Sequence, residues 1–90
     1  MNPLEELNAE YRRELPQKLE RLSALWHARD IPRLRQALHG LIGSGGTFGL
    51  HELTAAAREA DAYLAANGAA LDVAKFQLLL DAVRASIHRP

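Results

Sequence analysis

No cysteine occurs in this ninety-residue chain, which excludes a disulfide framework and thiolate chemistry. Net charge is lacking as well: eleven basic and eleven acidic side chains cancel, and the pI is about 6.9. Such a balance gives no support to nucleic-acid binding, which leaves a basic footprint. Nowhere do about 18 apolar residues run together, so no segment reads as a membrane span. The first residues, Met1-Asn2-Pro3-Leu4-Glu5-Glu6, lack the basic and apolar regions of a secretory signal, and the expected compartment is the cytoplasm. Four histidines are present, but no two stand four residues apart and no cysteine joins them, so neither a metal nor a cofactor is expected.

What is there is helical. A composition of 48% hydrophobic and 24% charged residues fits one globular domain, expected to span residues 1–90. Apolar residues recur by threes and fours from end to end, with no strand-like alternation. Asn2 is a plausible N-cap and Pro3 a first helical residue for a stripe of Leu4, Leu7, Tyr11, Leu15, Leu19, Leu22, Leu25 and Trp26. Pro16 inside that stripe predicts either a kink or a split into two helices. Asp30 is expected to cap a second helix, with Pro32 in its first turn and Leu34, Leu38, Leu41 and Ile42 on its inner side. A third helix should bury Leu50, Leu53, Ala57, Ala60 and Leu64 and close at Asn67-Gly68. The fourth is expected from about residue 71 to 87, on Phe76, Leu79, Leu80, Val83 and Ile87. Short connections between amphipathic helices predict an all-α, antiparallel up-down four-helix bundle.

Glycine is concentrated in one place. Five of the six glycines fall within the ten residues after His39: Gly40, Gly43, Gly45, Gly46 and Gly49. Four of them lie where the periodicity is still helical, a burden of about 3–4 kcal/mol relative to alanine. Gly49 is the expected helix stop. On the helical wheel Gly45 faces the core, whereas His39 lies about 130° from the centre of the apolar stripe. Gly43 and Gly46 share the His39 side and leave that surface almost bare of side chains. The free-base form of an imidazole carries a ring-nitrogen lone pair and is a nucleophile. No Walker loop, kinase signature or hydrolytic carboxylate pair accompanies it. A nucleophile without machinery has the profile of a relay intermediate rather than an enzyme.

The segment His39-Gly40-Leu41-Ile42-Gly43-Ser44-Gly45-Gly46-Thr47-Phe48-Gly49 resembles the core motif of the histidine phosphotransfer (HPt) family. His39, Leu41, Gly43, Ser44, Phe48 and Gly49 match it in register. The resemblance implies a four-helix bundle whose exposed His39 accepts a phosphoryl group from a receiver-domain aspartate and passes it to another receiver. The partners it implies are response-regulator receiver domains, that of a hybrid sensor kinase among them, with Mg²⁺ and catalysis supplied by the partner. Gln36, Gly40, Ile42, Gly43 and Gly46 would then form the docking surface, on a monomer whose active face stays free. Ile42 stands where the family usually carries a lysine. Arg35 is the expected substitute for its charge, with Arg33 and His51 as alternatives. Arg29, Arg33 and Arg35 together form a locally basic shoulder.

Plainer readings stand beside these. Ser44 is expected to bond the carbonyl one turn back rather than phosphate. His27 suits a helix C-terminus, His51 a first helical turn, and His88 a frayed tail. The alternative function is an HPt-like adaptor that binds receivers without being phosphorylated; a third is a purely structural bundle.

Overall fold

Four α-helices make up most of residues 3–87, the part of the chain described by a computed structural model. They are α1 (Pro3–His27), α2 (Ile31–Thr47), α3 (His51–Asn67) and α4 (Val73–Ser86), with a 3₁₀ turn at Gly68–Ala70 before the last. Among the described residues there is no strand. The short turns reverse the chain each time and give the expected antiparallel up-down bundle. Asn2, His88 and the side chain of Leu4 lie outside the described part.

The core follows the helical period. Tyr11, Leu15, Leu19, Leu22 and Trp26 enter it from α1, and Leu34, Leu38 and Leu41 from α2. Leu53, Ala57, Ala60 and Leu64 line α3, and Phe76, Leu80 and Val83 line α4. Burying each large apolar side chain contributes about 1.5–3 kcal/mol. Trp26 and Phe76 meet with ring centroids 4.4 Å apart and tie α1 to α4. The alanines of α3 let its backbone come close to its neighbours.

Of the two outcomes expected at Pro16, a kink or a split, the split does not occur, and the placement of Leu7 is corrected. The helix is not split at Pro16 but runs as one from Pro3 to His27. Pro16 is exposed, and so is Arg12, whose carbonyl loses its partner, so water can satisfy that group. Leu7, assigned to the apolar stripe, is 49% exposed. Tyr11 already stacks on Phe48 at the far end of α2, with centroids 4.7 Å apart, so the turns before it extend past the neighbouring helices.

The turns hold the register. Asp30 caps α2 by accepting from the Arg33 amide at 3.3 Å, and Asp72 caps α4 by accepting from the Lys75 amide at 3.1 Å. At the end of α2 the Gly49 amide donates to the Gly46 carbonyl (3.3 Å) and the Leu50 amide to the Gly45 carbonyl (2.8 Å). This is a Schellman ending, and it needs the left-handed conformation that Gly49 adopts at φ +74°. Arg29 ends α1 in the same way at φ 56°, unusual for a residue with a Cβ, while its guanidinium covers the Trp26 ring at 3.8 Å. Leu50 is the residue before α3 rather than within it, and α4 starts at Val73, two residues later than expected.

Candidate functional site

His39 lies near the middle of α2 with its side chain 56% exposed. Leu38, about 100° round the wheel from it, is fully buried, and this anchors the rotation of the helix. The imidazole is not alone. Its Nε2 lies 2.8 Å from Oδ2 of Asp61 on α3, and the other oxygen of Asp61 accepts from Nε of Arg35 at 2.9 Å. One carboxylate thus bridges two side chains a single turn apart on the neighbouring helix.

The electrostatics of the trio follow from that bridge. Partial burial by itself would raise the Asp61 pKa, but the hydrogen bonds from Arg35 and His39 and their charges outweigh it and hold the carboxyl below its usual range. The Arg35 guanidinium is pushed up by its bond to Asp61 and by the charge of that carboxylate. Asp61 therefore remains an anion at neutral pH and can hold the imidazole in a fixed orientation and stabilise positive charge developing on the ring.

Asp61 is the site residue that the sequence reading missed. A signal for it exists: α2 and α3 are antiparallel about the turn at Gly49 and Leu50, so residues equally far from the turn meet. Position 39 precedes it by about as much as position 61 follows it.

The glycines divide by face. A Cβ on Gly45 would lie 2.7 Å from Oγ1 of Thr54, so Gly45 permits close contact between α2 and α3. A Cβ on Gly40, Gly43 or Gly46 would meet nothing within 4 Å. Together with exposed Gln36, these three form a bare ridge running from beside His39 towards α1. Ile42 is half-buried and packs against the core, so only part of it is available to a partner. The Ser44 hydroxyl donates to the Gly40 carbonyl at 2.7 Å, one turn back, and Tyr11 of α1 bonds to its oxygen.

The basic shoulder is largely occupied. Arg29 covers Trp26, Arg33 pairs with Asp30 at 3.5 Å, and Arg35 is held by Asp61. Arg35 is beside His39 but its charge is matched. His51 begins α3 and lies ten residues before Asp61, about 15 Å along the helix, so it is not brought to the site. His27 closes α1. Among the described residues no group of histidines and carboxylates is arranged to hold a metal ion, and no helix is long and apolar enough to cross a membrane.

Comparison with curated proteins and with solved structures gives no significant match. The family model described as the Hpt domain matches residues 6–88. That span contains all of α2, α3 and α4, most of α1, and the whole Arg35–Asp61–His39 trio. With nearly the full chain matched and four helices in place, this protein belongs to the Hpt domain family.

Proposed function

We propose that His39 is the phosphoacceptor of a multistep phosphorelay, taking a phosphoryl group from a receiver-domain aspartate and donating it to another receiver. The family's role in histidine phosphotransfer supports the class of activity. The observation that supports the residue is an exposed imidazole beside a bare glycine ridge, with one nitrogen 2.8 Å from an anionic carboxylate.

In the transfer, the unprotonated ring nitrogen attacks phosphorus. The N–P bond forms as the P–O bond of the acyl phosphate breaks, and the electron pair leaves with the receiver's carboxylate. The proton on the other ring nitrogen stays, held by Asp61, whose charge offsets the positive charge the ring acquires. Accepting from Nε2–H, as the observed contact allows, Asp61 leaves the lone pair on Nδ1. Metal and leaving group belong to the partner. Arg35 assists by fixing Asp61 and by placing a cation one turn from His39. Gln36, Gly40, Gly43, Gly46 and the exposed part of Ile42 are the docking surface.

Incubation with a phosphorylated receiver domain should label the wild-type chain with acid-labile, base-stable phosphate, and the His39→Gln variant should remain unlabelled. Equal labelling of that variant overturns the assignment. Ile42, apolar where the family usually has lysine, supports a second reading as a non-phosphorylated adaptor. Receiver binding with no transfer to the wild-type chain is its signature.

A further inference from the structure

Beyond His39, the bare ridge has a second border. On its α1 side a groove of about 320 Å³ runs beside α2, lined by Lys18, Arg21, Ala37, Gly40, Leu41 and Ser44. Its floor is apolar or small, and both charged residues at its edge are basic. Among the described residues neither Lys18 nor Arg21 makes an ion pair; Lys18 instead lies over the Tyr11 ring, 5.8 Å from its centroid. The other cations near α2 are taken: Arg29 by Trp26, Arg33 by Asp30, Arg35 by Asp61. The nearest acidic residue by sequence is Glu20, between the two cations, and it lines a different surface beside Pro16, Leu19 and Arg84; neither it nor Glu14, one turn before Lys18, lines the groove.

The placement relative to His39 follows from helix geometry. Gly43 and Gln36 lie about 40–60° round α2 from His39, and Gly40 and Ser44 about 100–140°. The ridge is therefore flanked on the α3 side by a charge-balanced nucleophile and on the α1 side by two unpaired cations. A partner broad enough to cover the glycines meets both borders at once.

We infer that Lys18 and Arg21 form a second, electrostatic contact that binds carboxylates on the receiver surface next to its phosphorylated aspartate and sets the register of docking across the ridge. This rests on the phosphorelay reading and adds to it the part of the chain that selects the partner. The two cations are on the far side of the ridge from His39, so they act on encounter and orientation and not on the phosphoryl group. Complementary charge of this kind raises association rates and suppresses wrong partners, and salt weakens it.

The test compares wild type with the Lys18→Glu/Arg21→Glu double variant, using two phosphoryl donors. Phosphoramidate, a small donor with no surface to dock, should label His39 at the same rate in both proteins. With a phosphorylated receiver that labels the wild type, the variant should show KM raised about tenfold at low salt with kcat unchanged. Its kcat/KM should also lose most of its salt dependence. An unchanged KM and salt dependence overturns the inference. Equal circular dichroism and melting temperature verify the fold, and the milder Lys18→Gln/Arg21→Gln variant, expected to give an intermediate KM, replaces the first should it unfold. If neither phosphoramidate nor any receiver labels the wild type, the phosphorelay reading itself fails, which a KM unaffected by charge reversal does not imply.

Discussion

Nε2 of His39 and Oδ2 of Asp61 lie 2.8 Å apart, joining the middle of α2 to α3 across twenty-two positions of sequence. The carboxylate arrives by helix register and is fixed there by Arg35, at 2.9 Å from its other oxygen. A surface imidazole would otherwise sample several rotamers; here one is held by a charged partner.

That contact has a kinetic consequence. Asp61→Asn removes the negative charge while keeping the shape, and a charge-assisted bond is worth about 1.5–3 kcal/mol where it is fully formed. Phosphoryl acceptance by His39 should slow by about tenfold or more, with KM for the receiver little changed. Single-turnover labelling separates the two quantities. An unaltered rate would reduce Asp61 to a bystander.

The same carboxylate makes stability depend on pH. Its folded-state pKa is depressed, so its contribution is complete above the unfolded value of about 3.9 and is lost as pH falls through the lower folded value. Urea midpoints should therefore favour wild type over Asp61→Asn at pH 7, and the gap should close below about pH 4. A gap that stays constant to pH 2 would contradict the role of the ionised group.

Two glycines on one helix should respond in opposite directions to the same substitution. Gly43→Ala adds a methyl group to open space and should stabilise the helix by up to about 1 kcal/mol. Gly45→Ala places its Cβ 2.7 Å from Thr54 Oγ1, which is itself bonded to the Leu50 carbonyl at 2.9 Å. The strain should exceed the gain in propensity and give a net loss of about 1–2 kcal/mol. Thermal melts of the two variants check the signs. Gly43→Glu should fold and fail to bind a receiver.

Tyr11 and Ser44 provide a link between α1 and the glycine segment. The serine proton goes to the Gly40 carbonyl, so the tyrosine hydroxyl is the donor between them. Tyr11→Phe should cost about 1 kcal/mol, and combining it with Ser44→Ala should cost clearly less than the two losses added together. Strict additivity in that double-mutant cycle would show the bond to be energetically idle.

Much of this molecule was legible in the sequence because helical periodicity is local. The four helices, the cap at Asp30, the stop at Gly49 and the close at Gly68 each depend on a few adjacent residues. The outward direction of His39 and the inward direction of Gly45 follow from the same period. Pro16, which left a kink or a split open, and Leu7, which was misplaced, share a reason. Whether a proline interrupts a helix, or a leucine is buried, depends on what lies opposite, and α1 has solvent outside Pro16 and no neighbour alongside Leu7.

The site itself divides along that line. The sequence by itself determined the helices, the glycine ridge and the exposure of His39, because these follow from the 3.6-residue turn and from the side chain that glycine lacks. Only the tertiary structure decided that Asp61 meets His39, that Arg35 is committed to Asp61, and that Lys18 and Arg21 line a groove on the α1 side of the ridge. Those pairings join residues on different helices, so they depend on how the helices are registered and rotated against one another. That register is set jointly by the Gly49 turn, by the close approach at Gly45 and by the packed core, and no single stretch of the chain contains it.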